Sequence, residues 1–149
     1  MSWYFAPTDR QGELNKEAFS WVGTPFHGRA RVKGSGVDCV HLAAAIYGAC
    51  GFLPALEFPH YSMDGGSHLT TSEVFKFVID TGKFEQTDAA LMPGDLLGFK
   101  MGNVVHHVGV CVINPQMFIH AYKGAGTIIS WITDPTWKTR LLHVYRPIE

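Results

Sequence analysis

Apolar positions at Leu14, Ala18, Trp21 and Val22 recur at helical spacing, which predicts a short amphipathic helix over residues 15–22, closed by Gly23-Thr24-Pro25. Residues 23–37 show no period and carry Gly28, Gly34 and Gly36, so they read as a loop. The stretch 37–50 is then almost wholly apolar and rich in alanine, the best helix former. Asp38 is a natural N-cap, Gly51 a natural C′ residue, and Cys39 falls at the first helical position. Residues 52–72, with Pro54, Pro59 and Gly65-Gly66, read as a long irregular connection, and Thr71 and Ser72 cap a predicted helix running through Ile79. After the Pro93-Gly94 turn the period falls to two. Runs at 95–100, 106–113, 117–123, 127–133 and 141–146 predict about five strands. Helices followed by an antiparallel sheet is an α+β layout, expected to form one domain over residues 1–149.

Composition narrows the function. With 149 residues, 46% of them hydrophobic and 17% charged, and a formal charge of −1, the chain is a folded domain without room for a separate cofactor domain. The basic residues are dispersed except for Arg29, Arg31 and Lys33, too short a run for the phosphate neutralisation that nucleic-acid binding needs, so no nucleic-acid partner is expected. No stretch reaches the roughly eighteen apolar residues of a membrane span. Asp9, Arg10, Glu13 and Lys16 interrupt the place where a signal peptide would be apolar, so synthesis and folding in the cytoplasm are expected.

Three cysteines leave at least one thiol free. Cys39 and Cys50, eleven helical steps apart, lie roughly 16 Å from each other, well beyond the roughly 7 Å reach of a disulfide. Cys50 shares a helix face with Ala43 and Ile46, and Cys111 lies within a strand, so both read as packing residues. Cys39 differs, because a thiol at a helix N-terminus faces unsatisfied N–H groups that favour thiolate and are expected to lower its pKa from about 8.5. The same donors suit an oxyanion.

Among eight histidines, His107 and His120 stand out. If Asn114-Pro115 is a two-residue connection, Cys111 pairs with Phe118, Gly109 with His120 and His107 with Tyr122, and alternation sets both histidines on one face with Gly109 between them. Pro115 fits poorly in a type I turn at that place, and a three-residue loop would reverse the parity. His106 points to the other face. Zinc is a rival use of Cys39, His107 and His120, but neither CxxC nor HExxH is present, and no metal or other cofactor is expected.

Asp38-Cys39-Val40-His41-Leu42, Pro93-Gly94-Asp95-Leu96, His107-Val108-Gly109-Val110 and Phe118-Ile119-His120-Ala121 stand in an order that resembles the NlpC-type cell-wall peptidases, a branch of the papain-like cysteine peptidases. Residues 21–27 are similar to an early segment of that family, and 131–147 resemble the end of its phage-encoded subgroup. The resemblance implies a papain-like fold in which a nucleophile helix packs on a C-terminal antiparallel sheet. It implies Cys39 as nucleophile, His107 as general base and acid, and His120 as the residue that orients the imidazole. It also places Asp38 where an acidic group would bind a substrate ammonium, with Phe26 and His41 beside it. Two positions depart from the family pattern: Phe26 replaces a usual Tyr and loses a hydroxyl, and His41 replaces a usual small residue and adds bulk.

The function implied is hydrolysis of peptidoglycan stem peptides near the bond between D-Glu and the diamino acid, at the cell wall or periplasm. The implied source is a phage or prophage, with phage tail proteins as partners and a virion or lysis as the delivery route. Two alternatives stand beside it: a non-catalytic wall-binding or tail structural module, and an acyltransferase or other amidase of the same fold.

Overall fold

The computed structural model describes residues 2–54, 76, 79–101 and 104–149, and the side chains of these except 101 and 104–106. Its elements are α1 (Thr8–Ser20), β1 (Arg31–Val32), β2 (Gly36–Val37), α2 (Cys39–Ala49), β3 (Phe84–Gln86), β4 (Leu96–Met101), β5 (Val104–Val112), β6 (Asn114–Tyr122), β7 (Gly126–Trp131), α3 (Pro135–Lys138) and β8 (Leu141–Pro147). β1 and β2 form a small hairpin, and six strands form an antiparallel sheet in the order β3-β8-β4-β5-β6-β7. Most of the expected 52–72 connection and the expected helix up to Ile79 lie outside the described residues.

Helix α2 forms as the sequence predicts: the Asp38 side chain caps it by accepting from the His41 amide, and Gly51 beyond it takes φ +74°, where a side chain would be strained. Helix α1 starts at Thr8, well before the predicted residue 15, and ends at Ser20 rather than 22. Its first turns are polar and bury nothing, so they leave no apolar period; Pro7 precedes the helix, and burial of Leu14 and Ala18 anchors it. The two-residue strands of the β1–β2 hairpin, inside the expected loop, and the three-residue β3 are likewise too short for a period of two to show.

The sheet has two apolar faces. Val108, Val110 and Val112 of β5 and Ile119 and Ala121 of β6 pack with α1 and α2, together with Phe5, Leu42, Ile46 and Tyr47. Leu97, Phe99, Cys111, Phe118, Ile132 and Trp137 form a second cluster. The Pro93-Gly94-Asp95 turn joins the layers. Asp95 is fully buried and bound by Arg146 through Nε (3.0 Å) and Nη2 (2.8 Å), Tyr47 donates to the Gly94 carbonyl at 2.8 Å, and the Phe5 ring lies where a Gly94 side chain would stand.

Of the three predicted pairs between β5 and β6, Cys111 with Phe118 forms, whereas Gly109 with His120 and His107 with Tyr122 are not ladder pairs, and the turn differs. Cys111 pairs with Phe118 and Val110 with Ile119, but the connection is Ile113 alone, Val112 pairs with Asn114, and a shift between Cys111 and Val112 restores the parity. Asn114 and Pro115 belong to the start of β6, where the missing proline N–H is tolerated. Beyond Val110 and Ile119 the two strands show no further ladder pairs among the described residues.

Candidate active site

Cys39 opens α2 and is 5% exposed. Its cap is more than a local device: Asp38, itself 1% exposed, accepts from the His41 amide (2.9 Å), the His41 Nδ1 (3.0 Å) and the Arg29 amide (2.7 Å), the last from a residue held at φ +65°. Asp38 therefore clamps the preceding loop to the head of the helix. Cys39 and Val108 belong to the same buried cluster. Because Cys111 donates to Asp95 on the β4 side, alternation turns the Val110 and Val108 amides toward β6. The first residue of α2 thus packs beside the strand that carries His107, the neighbour of Val108 in sequence.

Burial, and secondarily the Asp38 carboxylate, push the Cys39 thiol up to about 12. The amides of Val108, Val40 and Cys39 itself act in the opposite direction, as a helix N-terminus should, but they are outweighed. The expected lowering is thus reversed. Cys50 and Cys111 are buried free thiols, consistent with packing roles.

His107 Nε2 lies 2.8 Å from His120 Nδ1, and His120 Nε2 lies 2.8 Å from Ser130 Oγ. His120 is fully buried, and burial lowers its pKa to about 4, so it is neutral at pH 7. Gly109 makes the approach of the two histidine strands possible: a Cβ there would stand 2.6 Å from the Phe118 ring, which packs on His120 with centroids 4.5 Å apart. Trp137 covers the pair, stacked on His107 and edge-on to His120, while Phe99 and Tyr122 complete an aromatic wall around His107.

The other expected residues gather at the head of α2. Phe26 forms a parallel bridge with Val37, two residues before Cys39, and packs half-buried against the cluster containing it. The His41 ring leans back onto Asp38, which absorbs its added bulk locally. The Asp38 oxygens accept from the chain's own donors.

Sequence reasoning missed Ser130 and Trp137. Ser130 pairs with Phe118 across β6 and β7 and so shares the face of His120, a placement that needs the β6–β7 register as well as the strands. Trp137 sits on α3, whose Asp134 cap and Pro135 at the first helical position are a readable start signal. Among the described residues no group of three or more His, Cys, Asp or Glu side chains is placed to hold a metal ion, and no helix is long and apolar enough to cross a membrane.

Residues 16–146 match the model of the NlpC/P60 family. Over 78 residues the chain is 35% identical to the murein DD-endopeptidase MepS/murein LD-carboxypeptidase of Escherichia coli strain K12, an alignment spanning 48% of this chain and 41% of that protein. The chain thus spans less than half the length of this curated relative. Its fold is similar to that of an NLP/P60 family protein, similar to lipoprotein, from Staphylococcus aureus subsp. aureus Mu50, with TM-score 0.67 and 18% identity over 100% of this chain and 45% of that one. It is also similar to the NlpC/p60 domain of the peptidoglycan hydrolase SagA, with TM-score 0.56 and 17% identity over 90% of this chain and 96% of that one. The family match runs from within α1 into β8 and takes in α2 and most of the sheet: the chain belongs to the NlpC/P60 family.

Proposed function

We propose that the chain is a cysteine peptidase or amidase that hydrolyses the peptide part of peptidoglycan, with Cys39 as nucleophile, His107 as base and acid, and His120 as the residue that orients His107. The observation that carries this reading is the placement of Cys39 at the head of α2, in one buried cluster with Val108, next along the chain to a histidine whose Nε2 lies 2.8 Å from His120 Nδ1. His107 takes the thiol proton as the sulfur attacks the amide carbonyl, because a thiol raised to about 12 is not ionised beforehand. Backbone amides at the head of α2 face the developing oxyanion. Collapse of the tetrahedral intermediate breaks the C–N bond, His107 protonates the departing amine, and a thioester remains on Cys39. A water that gives its proton to His107 then releases the carboxylic acid and restores the thiol.

The relative's printed name supports murein peptide as the substrate class. The family resemblance supports the bond between D-Glu and the diamino acid, with Asp38, Phe26 and His41 bordering the subsite, and it supports a phage or prophage source with action at the cell wall. One observation favours a second reading, a non-catalytic wall-binding or tail module: the thiol is buried, with 5% of Cys39 exposed. Digestion of defined peptidoglycan fragments with product identification tests the proposal. Wild type should release new amine and carboxyl termini, Cys39→Ala and Cys39→Ser should release none, and the products name the bond. Wall binding without cleavage in the wild type would establish the second reading instead, and transfer products would indicate an acyltransferase.

A further inference from the structure

We infer that Ser130 is a positioning residue that fixes the tautomers of both histidines through the chain Ser130 Oγ, His120 and His107, leaving His107 Nδ1 as the base. This deepens the proposed catalytic reading and rests on it.

A neutral imidazole carries one N–H, so the two short contacts admit two proton arrangements. In one, His107 Nε2–H donates to His120 Nδ1 and His120 Nε2–H donates to Ser130 Oγ. His107 Nδ1 then holds a lone pair and can receive the thiol proton. In the other, the Ser130 hydroxyl donates to His120 Nε2 and His120 Nδ1–H donates to His107 Nε2. His107 Nδ1 then already bears hydrogen, and its only lone pair is occupied by His120. The first arrangement also survives protonation of His107, because the imidazolium still donates through Nε2, whereas the second does not. Ser130 as acceptor completes the first arrangement. Without it, a buried His120 Nε2–H would have no acceptor, which is less well tolerated than an unfilled acceptor, and the proton would move to Nδ1. Ser130 can do this because it pairs with Phe118 in the β6–β7 register and so lies on the histidine face.

The test uses the full chain labelled with 15N in its histidine rings. At pH 7 both His107 and His120 should appear as Nε2–H tautomers. Ser130→Ala should move His120 to Nδ1–H and slow the alkylation of Cys39 by iodoacetamide, and Ser130→Thr, which keeps the hydroxyl, should restore both. In peptidoglycan hydrolysis Ser130→Ala should lower kcat by on the order of tenfold with KM nearly unchanged, a part of the roughly 10²–10⁴-fold that proton-transfer catalysis supplies. An Nδ1–H His120 in the wild type, or tautomers and alkylation unchanged in Ser130→Ala, would overturn the inference. The wild-type tautomers need no variant to fold and no substrate, so wild type with both Nε2–H tautomers but no hydrolysis would sink the proposed function, and with it the role of His107 Nδ1 as base, while the tautomer assignment through Ser130 would stand.

Discussion

The indole of Trp137 lies 29° from parallel to the imidazole of His107 with centroids 5.5 Å apart, and meets His120 edge-on at 4.7 Å. One side chain thus shields the hydrogen bond between the histidines and, in the proposed mechanism, offers a π face to the charge that His107 gains during attack.

A ring in this position stabilises a cation by about 0.5–2 kcal/mol, and truncating a buried Trp to Ala costs about 3–5 kcal/mol of stability. Trp137→Ala should therefore lower the urea midpoint as well as the hydrolysis rate. Trp137→Phe should recover most of the stability while kcat stays several-fold low. Equal recovery of both quantities would show that the indole only fills space.

His120 couples folding to pH. It titrates near 6.5 in an unfolded chain and at about 4 in the fold, so between these values the unfolded chain binds a proton that the folded one refuses. Its contribution is complete above about pH 6.5 and is lost as pH falls toward 4, by roughly 3 kcal/mol in all. Urea unfolding at pH 7 and pH 4.5 measures it. His120→Asn, whose amide oxygen still accepts from His107, should flatten that dependence while retaining part of the activity.

Two glycines make opposite predictions. Gly109→Ala places a methyl 2.6 Å from the Phe118 ring and 3.2 Å from the Ile119 carbonyl, which the sheet holds in place. A loss of about 1–3 kcal/mol and a displaced His120 should follow, seen as a lower melting temperature and reduced hydrolysis. Gly12→Ala, inside α1 with nothing within 4 Å of the new methyl, should instead stabilise by about 0.5–1 kcal/mol without changing activity.

What the chain reveals locally was readable, and what depends on distant partners was not. Asp38, the alanine-rich run after it and Gly51 define α2 from neighbouring residues alone. Cys111 opposite Phe118 was reached through a turn that does not exist, because the shift at Val112 preserves the parity that a two-residue connection would have given. The direction of the Cys39 pKa was misjudged because a helix terminus is visible in sequence, whereas burial and the proximity of the Asp38 charge are tertiary facts. Ser130 and Trp137 reach the histidines only through the β6–β7 register and a four-residue helix.

The opening between β5 and β6 lies beside the head of α2: ladder pairs end at Val110 and Ile119 among the described residues, and Cys39 shares a buried cluster with Val108. Alternation turns the Val108 amide toward that opening. A buried amide left with no acceptor forfeits about 1–3 kcal/mol. Cys39→Ala takes the sulfur out of this neighbourhood, while Cys39→Ser supplies an oxygen that can accept. An inactive protein meant to hold substrate without cutting it is better made with serine.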